Sequence, residues 1–145
     1  MITIEQACAS EYWDENSAMA EENWLEINNY PENHLNVNLE LLQQIEAIGL
    51  TDFLVCKDEG EVVGYMLNIR SPRLHQKDSI YSINDVIYVS PSHRNKPVFV
   101  RLVKEMEKIA KENGATMVMI SVRNNNTALE RFGYKYEETV YAKVI

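Results

Sequence analysis

The chain of 145 residues is long enough for one domain with a proper core and too short for two. Its 46% apolar and 25% charged residues exclude the disordered and fibrous classes. A formal charge of −8, with a pI of about 4.9, sets the molecule as a whole against nucleic acid and anionic membrane.

That charge is unevenly placed. Residues 1–69 hold fourteen acidic side chains against one lysine, a net of −13; residues 70–145 hold thirteen basic against eight acidic, a net of +5. The split reads either as solvated helix faces or as partners of two signs. Cys8 and Cys56 lack the spacing of a disulfide framework or a zinc site, which suits a reducing compartment. His34 and His93 have no partners at ligand spacing, so no metal is expected. The first seven residues carry no basic segment or apolar leader, and no window approaches 18 apolar residues, so the chain reads as soluble and cytoplasmic.

In chain order, residues 2–5 form a weak strand. Helical spacing follows over 10–29, with Trp13, Ala20, Trp24 and Ile27 three, four or seven apart, until Tyr30-Pro31 breaks it. Asn38 caps a second helix with an apolar face of Leu41, Leu42, Ile45 and Ile48, closed by Gly49. The period then becomes strand-like: 51–57 and 62–69 pair as a hairpin around Asp58-Glu59-Gly60-Glu61, residues 71–78 form a loop, and 80–89 a third long strand. A polar, basic loop over 90–96 leads into a helix with Pro97 at its first position. Val98, Leu102, Met106 and Ile109 line its inner face, Lys104, Lys108 and Lys111 lie outside, and Gly114 stops it. Residues 116–122 read as a strand in which Met117 and Met119 pack, Asn124-Asn125-Asn126 as a turn, 127–132 as a short helix, and 136–145 as one or two last strands. The order predicts a mixed sheet with helices on its faces, hence α/β or α+β.

A strand that delivers into a basic loop opening a helix is a device for holding phosphate. First-turn amides point at the anion, the helix dipole favours it, and Arg94 and Lys96 add charge. No Walker or Rossmann glycine pattern is present. Val89-Ser90-Pro91-Ser92-His93-Arg94-Asn95-Lys96 resembles the acetyl-CoA-binding segment of the GNAT superfamily of N-acetyltransferases, where Val-x-Pro-x-x-Arg-Gly-x-Gly-x-Gly/Ala precedes a helix. Val63-Gly64-Tyr65, Asp85, and Asn126 with Leu129-Glu130-Arg131-Phe132-Gly133-Tyr134 extend the resemblance. Small GNAT-like proteins of phages and prophages are similar at Leu74-His75, at Glu130-Arg131-Phe132-Gly133-Tyr134, and at Glu138, Tyr141 and Lys143. The likeness is good over 52–145 and loose before it.

The resemblance implies one domain over 1–145, with 1–50 a helical acceptor-side region and 51–145 an acetyl-CoA-binding core. It implies a central mixed, mostly antiparallel sheet of six to seven strands flanked by about four helices. The implied activity is acetyl-CoA-dependent transfer to a primary amine, directly within a ternary complex, in the host cytoplasm if phage-encoded. The partner is a cationic amine or a basic protein, and a homodimer fits, since dimers are common among relatives.

Ile87, Tyr88 and Val89 are implied along the pantetheine, with Arg94, Asn95, Lys96, Val98 and Asn126 completing the cofactor set. Asp85 is the candidate base, or a strand-end carboxylate bonded locally; Tyr134, Tyr136 or Tyr141 is the candidate acid. Glu22, Trp24 and His75 are candidates for the acceptor side; Glu21, Glu22 and Glu26 read equally as a solvated face, and Trp13 and Trp24 as core. Pro97 and Phe99 depart from the family's small residues, removing one amide and some room. Leu129 stands where many members carry a tyrosine acid. These departures favour the rival expectation, a catalytically impaired scaffold that binds a host target.

Overall fold

The structure is a computed structural model that describes residues 1–15, 17–30, 32–123 and 127–145. Pro31 and residues 124–126, where the sequence suggests a helix break and a turn, lie outside the described residues. Five strands form one sheet in the order of the chain: β1 Ile2–Gln6, β2 Thr51–Asp58, β3 Glu61–Arg73, β4 Gln76–Val89 and β5 Met117–Met119. The first four run antiparallel, and β5 pairs parallel to β4 after a crossover through α4, Val98–Glu112. The other helices are α1 Ala9–Glu15, α2 Ser17–Ile27, α3 Leu39–Ala47 and α5 Thr127–Arg131. Glu59 and Gly60, both at positive φ, make the two-residue turn that joins β2 to β3.

Both faces of the central strands are covered, so β2 and β3 read as nearly continuous apolar runs. Leu54, Cys56, Met66 and Val89 face Val98, Leu102, Met106 and Ile109 of α4. Phe53, Val55, Tyr65, Leu67 and Tyr88 face Ala9, Tyr12 and Leu42 of α1 and α3. Arg70 knits the layers. Its Nε donates to the buried Asp52 at 2.9 Å and its other nitrogens to the carbonyls of Gly49 and Asn113, which end α3 and α4. Asn113 in turn donates to Asp52 at 2.7 Å.

Several expectations need correction. Over the helical region expected at 10–29, α1 reaches Glu15 and α2 runs from Ser17 to Ile27, and Asn16 between them lies outside the described residues. On α3 only Leu42 of the expected face is buried; Leu41 and Ile48 are exposed. The loop over 71–78 is mostly strand: β3 and β4 run on to a tip at Leu74-His75. Arg73 over the Tyr81 ring (4.5 Å) and the Tyr81 hydroxyl donating to Gln76 hold that extension. Pro97 is the cap before α4, one place earlier than expected. The strand over 116–122 shrinks to three residues. Among the described residues, 136–145 pair with no strand, which leaves Val140 and Tyr141 exposed and the described sheet at five strands where six to seven were expected. Their alternation is strand-like, but alternation makes a strand only where a neighbouring edge bonds to it, and β5 offers a very short edge.

Gly64 shows why β3 needs a glycine where it passes the end of β4. A Cβ there would lie 2.7 Å from the Tyr88 carbonyl oxygen and 3.3 Å from a Val98 methyl. We expect Gly64→Ala to destabilise the protein by about 1–3 kcal/mol in urea unfolding, with the m-value unchanged; an unaltered midpoint would contradict this close approach.

Candidate active site

The site begins with a defect in the β3–β4 ladder. Leu67 pairs with Val86 and Asn68 with Asn84, so Asp85 is the extra residue of a β-bulge. A bulge leaves backbone groups without ladder partners, and a buried polar cluster meets them. Asn84 Nδ2 lies 2.9 Å from the Val86 carbonyl and 3.3 Å from those of Leu67 and the Asn68 side chain, while Asn68 donates to Ser82 at 2.9 Å. Asn68 and Ser82 are wholly buried. On its other side β4 pairs with β5 only over Tyr81–Ile83, so from the bulge onward the strands part.

Beyond the bulge the side chains of β4 are structural. Ile87 and Val89 pack toward α4, Val86 and Tyr88 toward α1 and α3. What Ile87, Tyr88 and Val89 can offer a ligand in the opening is backbone. Asp85 remains solvent-accessible, yet the surrounding protein removes enough water to raise its carboxyl above the ordinary carboxylate range.

At the far end of β4, a single 3-10 turn over Pro91–His93 and the segment to Pro97 lead into α4. No side chain caps α4, and its first-turn amides have no acceptor within the helix. The Val98 side chain is fully buried in the core, so its amide is what it can contribute; Phe99 turns its ring against the same core rather than into the loop. Arg94 Nε donates to the Val89 carbonyl at 2.9 Å, and its NH2 group meets both oxygens of Glu26 on α2, at 2.6 and 2.8 Å. Asn95 is exposed. Lys96 is drawn to the β2–β3 turn, where it lies 2.6 Å from Asp58, as does His93 at 3.3 Å. The Lys96 hydrogen bond, then that of the amino terminus, hold the Asp58 carboxyl down at about 2.

Glu22 accepts a hydrogen bond from the Tyr88 hydroxyl at 2.9 Å; burial first, and then Glu22, push that phenol up to about 12. Trp24 is half-buried on the same helix, its indole N–H bonded to the Asn33 carbonyl at 3.1 Å, and Trp13 packs with Tyr12, Phe53 and Tyr65. Tyr134 follows α5, with its hydroxyl buried near Glu107; burial, then Glu107, raise it well above the usual phenol range. Leu129 is buried beside it, in the lining of the same cavity of about 640 Å³ between β5, α5 and the C-terminal segment, which includes neither Asp85 nor Arg94.

Tyr141 is 92% exposed, and no hydrogen bond among the described residues ties it to the bulge. His75 sits at the tip of the β3–β4 hairpin, beside a hollow of about 410 Å³. Nine strand residues, roughly 30 Å, separate it from Asp85. Asn126 lies outside the described residues. The structure thus gathers Glu22, Tyr88, Val89 and Arg94 at one end of the opening with Asp85 at the other, and leaves His75 and Tyr141 apart.

Sequence reasoning missed the Asn68–Ser82–Asn84 cluster, although polar residues inside two apolar strand windows were its signal. It also missed the Glu26–Arg94 pair, which joins residues 68 positions apart and has no local signature. Among the described residues no group of three or more ligating side chains could hold a metal, and no helix is long and apolar enough to cross a membrane.

A mixed sheet that parts beside a bulge, with a basic corner at an uncapped helix start, defines the architecture, and comparison with known proteins agrees. The Acetyltransferase (GNAT) family model matches residues 6–135, and the chain belongs to that family. No curated protein sequence matches it. Among solved structures it is similar to a transcriptional regulator from Bacillus halodurans C-125 (TM-score 0.76, 17% identity, 100% of both chains covered). It is also similar to glucosamine-6-phosphate N-acetyltransferase from Arabidopsis thaliana (0.73, 13%, 99% of this chain and 98% of that one). A third is AAC(6')-Iy in complex with a bisubstrate analogue, CoA-S-monomethyl-acetylneamine (0.73, 14%, 100% and 99%). At these identities the likeness shows the fold.

Because the folded Asp58 carboxyl lies below its usual 3.8, its contribution to stability is complete above about pH 4 and disappears as the pH falls toward 2. We expect Asp58→Asn to lower the melting temperature at pH 6 but not at pH 2. Equal losses at both pH values in calorimetric scans would contradict the ion-paired corner.

Proposed function

We propose that the protein is an acetyl-CoA-dependent N-acetyltransferase that moves an acetyl group directly to a primary amine within a ternary complex. The observation that carries this reading is the opening along β4, with Asp85 at one end and Arg94 beside the start of α4 at the other. Four strand steps, about 13 Å, lead from Asp85 to Val89, a span suited to a pantetheine arm whose phosphates rest at the helix. The family match and the acetyltransferases among its structural neighbours support it.

The residues fit the cofactor. Arg94, with Asn95 and the amides from Val98 onward, would hold the pyrophosphate, by charge and by the helix start. Lys96 would contribute once released from Asp58. The backbone at Ile87, Tyr88 and Val89 would line the pantetheine and direct an N–H at the thioester carbonyl, as donors do where charge develops. Acetyl-CoA supplies the acetyl group as an activated thioester.

Asp85, directly or through water, accepts the proton that the acceptor ammonium must lose before its nitrogen lone pair can form the C–N bond. The raised affinity of its carboxyl for a proton suits that task. As the C–S bond breaks, sulfur leaves with the electron pair and takes a proton. Tyr134 is our candidate donor, because its hydroxyl stays protonated across the neutral range; Tyr141 would require the C-terminal segment to fold inward. Glu22 and Trp24 face the acceptor side, and a cationic amine or basic protein suits their charge. The likeness to phage-borne members suggests action in a host cytoplasm.

The alternative, a scaffold binding a host target without turnover, is favoured by the buried Leu129 in the place of the tyrosine acid. Thiol release from acetyl-CoA across a panel of amines separates the two: release supports the enzyme, and tight cofactor binding without release with any amine supports the scaffold.

Arg94→Ala should weaken acetyl-CoA binding at least tenfold, the scale of one lost charge-assisted contact; an unchanged dissociation constant in calorimetry would refute the loop assignment. Asp85→Asn should lower kcat/KM by about a hundredfold or more. Since a raised carboxyl pKa costs stability above that pKa and nothing below the unfolded value, the same variant should melt higher than wild type at pH 7 and equally at pH 3. Unchanged turnover would remove Asp85 from the chemistry.

A further inference from the structure

The guanidinium assigned above to the cofactor's phosphates is already occupied in the protein alone. Arg94 meets Glu26 of α2 with one nitrogen on both carboxylate oxygens, at 2.6 and 2.8 Å, and stacks near Tyr88, its guanidinium carbon 5.8 Å from the ring centroid. One turn earlier on α2, Glu22 takes the Tyr88 hydroxyl at 2.9 Å. Two carboxylates of one helix therefore close over the corner where β4 ends, one of them on the cation that an anionic ligand would need. Glu26 and Arg94 are both about half-exposed, with 42% and 48% of their side-chain surfaces open, so the pair is cheap to break.

We propose that Glu26 is a competing carboxylate that stands in for the cofactor's phosphates on Arg94 and so sets the affinity of the site. This rests on the reading of the loop as the CoA site. Phosphate and carboxylate seek the same guanidinium face, so cofactor binding must displace Glu26. Displacement frees an anion on the helix that carries Glu22 and Trp24. By linkage, a cation that neutralises Glu26 strengthens cofactor binding, and bound cofactor strengthens the attraction for that cation by the same factor. The acidic half of the chain thereby couples an amine acceptor to the cofactor through Glu26, in addition to their contact at the reacting carbon. Glu21, the exposed neighbour on the same helix, carries equal charge and makes no bond to Arg94 among the described residues, which provides the control.

The test is calorimetric titration of CoA into wild type, Glu26→Gln, Glu21→Gln, Arg94→Ala and the Glu26→Gln/Arg94→Ala double variant, at one fixed salt concentration. Glu26→Gln should bind CoA about three- to fivefold more tightly than wild type, the scale of a half-exposed ion pair. Glu21→Gln should bind as wild type does, and the gain from Glu26→Gln should vanish in the Arg94→Ala background. Equal affinity of wild type and Glu26→Gln, or an equal gain from Glu21→Gln, overturns the competition while leaving the CoA site in place. No binding by wild type or either glutamine variant at millimolar CoA overturns the CoA reading and the competition together.

Discussion

From Asn84 to Val89 the backbone of β4 has, among the described residues, a strand neighbour on one side only, and the rest of the site follows from that constraint. Parallel pairing with β5 stops at Ile83, two residues before the bulged Asp85. A half-paired strand inside a domain would normally leave its amides and carbonyls unsatisfied, at a cost per group comparable to a lost hydrogen bond. Such an edge survives where something else bonds it, and here the candidate is a ligand laid along it. The Asn68–Ser82–Asn84 cluster holds the defect open from beneath, by giving the bulge the donors its ladder lacks.

The −13 and +5 halves of the chain carry more than one meaning. Part of that asymmetry closes upon itself: Asp52 with Arg70, Asp58 with Lys96, and Glu26 with Arg94 each join an acidic-half residue to a basic-half one. Lys96, which in sequence looks like a phosphate ligand, is in the structure a strut between the loop and the β2–β3 turn. Arg94 serves both roles, as an internal partner of α2 and as the cation nearest the start of α4. Charge counted along a chain says which signs are available, and folding decides which are already neutralised.

Much of the core was legible beforehand because it obeys periodicities. The α4 stripe of Val98, Leu102, Met106 and Ile109 and the hairpin around Glu59-Gly60 stand where their spacing puts them. The family resemblance was carried by the 89–96 segment and by Gly64, whose lack of a Cβ is required where β3 passes Tyr88. What escaped was non-local. Whether 136–145 pairs depends on an edge elsewhere in the chain. The length of the β3–β4 hairpin depends on Arg73 meeting Tyr81, despite a proline that argues for a loop. The bulge at Asp85 is a relation between two strands, visible in neither alone.

The most direct measurement is a crystal structure of the protein with CoA. Our account predicts the pyrophosphate on Arg94 at the start of α4, Glu26 displaced from that guanidinium, and the pantetheine running along Val89–Ile87 so that the thiol ends beside Asp85. CoA seated elsewhere, with the Arg94–Glu26 pair intact and the β4 edge bare, would contradict it.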